Sequence, residues 1–402
     1  MFLWLAIGLG VLCLALWTAQ RIVFPVFDFP DPAGPFGIGT VTYHWVDTTR
    51  RETFVSDSPE RRELMVQVWY PAKTDKSAPR TAYVDDPSVL LPLAHLLRLP
   101  GFVFWHLGRI RTNAVEAAPV AAGQPAFPLV ICSHGRGGYR QEDTWLTEEL
   151  VSQGYVVAAI DHPYAASGVR FPDGRRVMYD ARMSERGFVD GKISFLAQDV
   201  SFALNQLESI NRSDTHDLLA GHIDTGRTGV LGLSLGGMVG AKAAVCDERI
   251  KACLVMDVRV PADVLRDGLR QPAMFLTRDP ETMRLEGWAE ADVCETLATM
   301  RAAFDTLPGT GYFVQVQGMF HQDFSDAPLL SPLTSVLGLT GPIGCRRAHE
   351  ITAGYSLAFF DSELKGRLEP FLKGASPRYP EVQVETRSYP GNSESGIEPA
   401  SV

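Results

Sequence analysis

Eight short apolar runs punctuate the chain, and helical patterns fill the intervals between them. The runs are VTYHWV (41–46), LMVQVWY (64–70), FPLVICS (127–133), YVVAAI (155–160), TGVLGL (228–233), KACLVMD (251–257), PAMFLT (272–277) and YFVQVQ (312–317). Several are continuously apolar rather than alternating, the pattern of strands covered on both faces of a parallel sheet. Ile193, Leu196, Val200, Leu204, Leu207 and Ile210 recur at helical spacing. QEDTWLTEELVSQG ends on Gly154, a residue type that caps helices, and AHEITAGYSLAFFDSELKG reads as the final helix. Strands alternating with helices predict an α/β fold, a mostly parallel central sheet flanked by helices.

The two ends break this pattern. MFLWLAIGLGVLCLALWTA carries no charge and approaches the length that a bilayer's hydrocarbon core requires. Residues 1–20 are therefore expected to form a transmembrane or signal helix, which anchors the chain in a membrane if retained and leaves it secreted or periplasmic if cleaved. Residues 21–40 form a Pro/Gly-rich connector, the main domain is expected over 41–368, and the Pro, Ser and Glu content of 375–402 reads as a disordered tail. Within the domain, SVLLPLAHLLRLPGFVFWHLGRIR (88–111) mixes Leu and aromatic residues with Arg98, Arg109 and Arg111. Such a segment reads as a lid or interfacial helix pair, or as a pair of packed helices.

A chain of 402 residues, 46% of them hydrophobic, can fill one large core. Its formal net charge of -10, without a basic run, argues against a nucleic-acid partner. The six cysteines show neither a C-x-x-C pair nor regular spacing. No His, Cys or carboxylate cluster has ligand spacing and no G-x-G-x-x-G fingerprint occurs, so neither a metal nor a cofactor is expected.

The chemistry concentrates in GVLGLSLGGMVG (229–240). Val230, Leu231 and Leu233 suit a buried strand, and Gly237, Gly240, Ala241, Ala243 and Ala244 suit a helix packed closely on a sheet. Ser234 would then stand on a strained strand-to-helix turn as a nucleophile. In the α/β hydrolases, which share this arrangement, an acid and then a histidine follow the serine. That order sets aside His44, His95, His106, His134, His162, His216 and His222 as its base. His321 stands in the loop GMFHQDFSD, whereas His349 sits inside the final helix, where a packed role fits better. The acid has two candidates at strand ends, Asp257 and Asp279, the second also resembling a helix N-cap before Pro280 and Glu281. In VICSHGRGGYRQED a strand runs into a glycine loop whose Arg136 N–H, with that of Leu235, would form an oxyanion hole.

Four blocks, FPLVICSHGRGGYR, VSQGYVVAAIDHPYAAS, GVLGLSLGG through RIKACLVMD, and GMFHQDFSD, are similar in order and spacing to the plasma-type platelet-activating factor acetylhydrolases. These are lipase-like α/β hydrolases, and the resemblance covers roughly residues 40–365. It implies an α/β-hydrolase fold with Ser234 as nucleophile, Asp257 as acid and His321 as base. It also implies calcium-free cleavage of short or oxidised acyl chains from phospholipids, with a lipid or small-molecule ester as substrate and a membrane surface as partner. Leu233 and Leu235 stand where the family has His and Phe, and Arg136 where it commonly has Leu. Dienelactone hydrolases and cutinase-like enzymes share the blocks more loosely, which keeps a general esterase as the alternative. A catalytically inactive binding module of the same fold would lack a triad member, and none is missing.

Overall fold

All eight apolar runs become strands of one sheet. A computed structural model describes residues 21–56, 59–75, 77–122, 126–212 and 217–387, with a few positions before residue 21. Its strands are β1 (Gly37–Arg51), β2 (Arg61–Ala72), β3 (Arg80–Ala82), β4 (Arg111–Glu116), β5 (Phe127–Ser133), β6 (Val156–Asp161), β7 (Gly168–Arg170), β8 (Arg176–Met178), β9 (Ile223–Leu233), β10 (Ile250–Met256), β11 (Ala273–Arg278), β12 (Gly311–Val316) and β13 (Val382–Arg387). Eleven of them pair in the order β13-β12-β11-β10-β9-β5-β6-β2-β1-β4-β3, and β7 and β8 form a separate hairpin. The centre from β6 to β12 is parallel, while β2 and β13 join its two sides antiparallel.

Successive residues of the central strands face opposite layers, which is why these runs read as continuously apolar. Leu129, Ile131 and Val230 pack under the helices Arg186–Arg212 and Leu235–Cys246. Val130, Cys132 and Leu231 pack on the other face, against Thr144–Ser152 and Cys345–Lys365. Gly154 and Gly366, both at positive φ, follow the last two helices as caps.

Two expectations change at the edges, and a third falls mostly outside the described residues. The sheet starts at Gly37, inside the stretch expected as connector, because β1 pairs with β2 from Gly37 to Asp47. The tail expected from residue 375 instead supplies β13, whose Val382 and Val384 cover the edge of β12; residues 388–402 lie outside the described residues. The helix expected over residues 1–20 lies mostly outside them too. Among the described residues, no helix is long and apolar enough to cross a membrane.

The segment 88–111 forms short helical turns, Pro87–Leu90, Leu91–Leu96 and Gly101–Arg109. Leu90, Ala94, Phe104 and Leu107 pack with Tyr83 and Tyr139, while Leu96, Leu97, Phe102 and Trp105 remain exposed.

Candidate active site

Ser234 directly follows the central strand β9, at φ 55° and ψ -123°, a region that costs a residue with a Cβ on the order of 1–3 kcal/mol. Its backbone is secured on both sides. The Ser234 N–H donates to the Met256 carbonyl at 2.9 Å, and its own carbonyl accepts from Gly237 at 2.9 Å as the next helix starts. The two flanking glycines answer to sterics. A Cβ on Gly236 would meet the Ser133 carbonyl oxygen at 1.9 Å, and one on Gly232 would meet the Gly236 carbonyl carbon at 2.2 Å.

Asp257 repeats the device one strand over. It stands at φ 48° just after β10, and its N–H donates to Leu276 at 2.9 Å. Its side chain is fully buried. Oδ2 lies 2.6 Å from His321 Nδ1, and Oδ1 accepts from the Thr277 hydroxyl at 2.8 Å. His321 itself follows β12 in a loop tied down by the buried Asp323, which accepts from the Phe320 and Gly341 amides at 2.7 Å each.

Asp257 has a third partner, a cation. The buried Arg278, last residue of β11, brings Nε to 2.9 Å from Asp257 Oδ2, without hydrogen-bond alignment, so the contact is one of charge. Arg278 also pairs with Glu286 and lies 4.5 Å from the centre of the Trp288 ring. Glu286 in turn accepts from the His321 N–H at 3.3 Å. Burial would raise the Asp257 carboxyl, but the Arg278 charge and the His321 bond outweigh it and hold it well below the usual carboxylate range. The only sequence signal was Arg278 beside Asp279 at the end of an apolar strand.

The rival candidates have other roles. Asp279 caps the helix Pro280–Leu285, accepting from Glu281 N at 2.9 Å and Thr282 N at 3.0 Å. His349 stacks on Trp145 with ring centres 4.9 Å apart and bonds the Ser325 carbonyl at 2.8 Å. Burial pushes its imidazole down to about 4. His162 belongs to a chain that resembles a triad, Ser133 Oγ to His162 Nε2 at 3.1 Å and His162 Nδ1 to Asp199 Oδ2 at 2.9 Å. All three are sealed in the interior, with Arg62 bound to Asp199, so this chain braces the ends of β5 and β6.

Ser234 and His321 line one cavity of about 280 Å³, together with Arg136 and Gly135 of the loop after β5. No hydrogen bond to the Ser234 hydroxyl forms among the described residues, and none uses the Arg136 or Leu235 N–H. Leu93, Leu97, Val103, Leu330 and Leu337 supply much of the remaining wall. No group of three or more metal-ligating side chains occurs among the described residues.

Glu142 also lines the cavity and accepts from the Gly135 N–H. Burial, with Asp143 alongside, pushes its carboxyl up to about 7, and burial does the same to Glu148. An acid raised in the folded state stabilises the fold below its ordinary range and loses that contribution as pH rises through its folded value. Glu142 and Glu148 are therefore expected to pull the melting temperature down between about pH 4.5 and 7, against the opposite pull of the buried His349, and Glu142→Gln to remove part of that downward pull. Thermal melts across this window check it, and an unchanged slope in the variant contradicts it.

The parallel sheet, with a strained serine at the end of its central strand and a His–Asp pair at the same edge, has the α/β-hydrolase arrangement. A ferulic acid esterase from Streptomyces cinnamoneus shares the fold, with a TM-score of 0.72, 30% identity, and coverage of 89% of this chain and 98% of that one. The chain belongs to the family described as platelet-activating factor acetylhydrolase, isoform II, which matches residues 22–370. A probable 1-alkyl-2-acetylglycerophosphocholine esterase of Arthroderma benhamiae is 25% identical over 89% of this chain and 93% of its own length. The platelet-activating factor acetylhydrolase of Cavia porcellus is 23% identical over 83% and 78%. The protein is a carboxylic ester hydrolase.

Proposed function

We propose that the protein hydrolyses short or oxidised acyl esters of phospholipids through an acyl-enzyme formed on Ser234. His321 takes the serine proton as Oγ attacks the carbonyl, and then gives it to the departing alcohol. Asp257 fixes the imidazole through Nδ1 and stabilises its charged form. The Arg136 and Leu235 amides receive the oxyanion. Water, activated by the same histidine, releases the acid.

The observation that carries this reading is the 2.6 Å bond from His321 to the buried Asp257, with His321 and the strained Ser234 lining one cavity. The lipid part rests on the named relatives and on the cavity mouth. Leu97 and Leu337 line the cavity and are also exposed, as are nearby Leu96, Phe102, Trp105 and Val336. The chain leading back to residue 1 departs beside this mouth, since Phe24 packs on His106 at 5.5 Å and Ser331 Oγ donates to the Val23 carbonyl at 2.6 Å. Together with the uncharged N-terminal run, this arrangement supports a membrane-anchored or exported enzyme drawing substrate from a lipid surface.

A small cavity favours short acyl groups. p-Nitrophenyl acetate and butyrate should be cleaved far faster than the palmitate, and a phospholipid acetylated at its second position faster than its long-chain counterpart. Rapid palmitate hydrolysis contradicts the short-chain reading without touching the triad. The ferulic acid esterase neighbour supports a second reading, an esterase of aromatic acids, so a feruloyl ester belongs in the same panel.

A further inference from the structure

We propose that the Arg136 side chain forms an anion subsite, binding an anionic oxygen group that the substrate carries close to its scissile ester. The inference rests on the hydrolase reading above and adds the charge of the substrate to it.

The loop after β5 holds Arg136 in place from both sides. The Gly135 amide donates to Glu142, the Gly137 amide to the Ala165 carbonyl at 2.9 Å, and the Gly138 amide to Gly135 at 3.0 Å. Between these fixed points Arg136 is an exposed residue and lines the cavity with Ser234. It makes no ion pair or hydrogen bond among the described residues. Arginines nearby in the interior are committed instead, Arg62 to Glu52 and Asp199, Arg140 to Asp161, and Arg278 to Asp257 and Glu286.

Arg136 therefore stands as the uncommitted cation of a wall made largely of aliphatic side chains. The other ionisable groups lining this cavity are engaged: Glu142 with the Gly135 amide, His321 with Asp257, Tyr139 with Tyr83, and His106 with the Val103 and Leu330 carbonyls. A guanidinium presents paired donors that match a carboxylate or phosphate, and an apolar surround strengthens the attraction. In a protein of net charge -10, the overall field opposes an approaching anion, so its recognition requires a local cation.

Two sources place such a group near the ester: a carboxylate ending a shortened acyl chain, and the phosphate of a head group. The test compares matched esters in Arg136→Met and Arg136→Lys. The acyl arm uses mono-p-nitrophenyl glutarate against p-nitrophenyl butyrate. The head-group arm uses a 2-acetylated ether glycerolipid bearing a 3-phosphate against the neutral glycerolipid. The readout is the ratio of kcat/KM for the charged ester to that for the neutral one, in which any loss from a disturbed oxyanion loop cancels. In Arg136→Met the ratio is expected to fall about tenfold in one arm, with Arg136→Lys between Met and wild type. The arm that responds identifies the source, and high salt should shrink the wild-type ratio. Ratios unchanged in both arms overturn the proposal. Failure of the hydrolase reading looks different, because Ser234→Ala would then keep its activity on the neutral esters.

Discussion

Ser234→Ala is expected to lose covalent labelling by a fluorophosphonate and to lower ester hydrolysis by a factor on the order of 10⁶ in kcat. The loss should be this large because the serine, the imidazole and the carboxylate act as one unit. His321→Ala should therefore cost nearly as much, and the double variant little more than either. Ser234 has no other chemical duty in the structure. Its hydroxyl bonds to no described residue, while the elbow is held by backbone contacts that alanine keeps. The variant should thus fold normally, and relief of none of the φ strain is expected, since alanine also carries a Cβ. Esterase activity within tenfold of wild type in pure Ser234→Ala would remove the assignment.

Asp257→Asn should lower turnover by a factor on the order of 10³–10⁴, because the amide can present its NH₂ to Nδ1 and so favour the wrong tautomer. The structure adds a second consequence. Arg278 is buried and pairs with both Asp257 and Glu286, so neutralising Asp257 leaves a buried guanidinium with one counter-ion. A lower melting temperature should accompany the loss of rate. Asp279→Asn separates the alternatives. Asn also caps helices, so activity should stay within a few-fold and stability should change little. The opposite ranking of the two variants would move the acid to the end of the next strand.

The parts of this protein legible in the sequence are those governed by local pattern. Continuous apolar runs became the parallel strands because residues facing both ways along β5, β9 and β10 meet a covered face. The elbow was legible because close approach to the Ser133 carbonyl leaves room only for glycine at Gly236. β13 was missed because VQVETR alternates weakly and stands in a stretch whose Pro, Ser and Glu content dominates the reading. Its strand character comes from the exposed edge of β12, which is a property of the folded sheet.

The site divides in the same way. The sequence by itself determined the strand order of the chemistry, a serine at one turn and a histidine in a later loop, because those positions follow from the succession of strands. It left the acid open between Asp257 and Asp279, and family resemblance made the choice. Only the tertiary structure showed that Asp257 approaches His321 while Asp279 turns into a helix cap, since β10 and β11 lie side by side and end at different points relative to β12. The same packing decided that Arg278 would be buried against Asp257, that Ser133, His162 and Asp199 would be sealed in the interior, and that Arg136 would line the cavity without a counter-ion among the described residues. These are statements about distance between residues far apart in the chain, and hydrophobic periodicity carries no information about which charged side chains will meet.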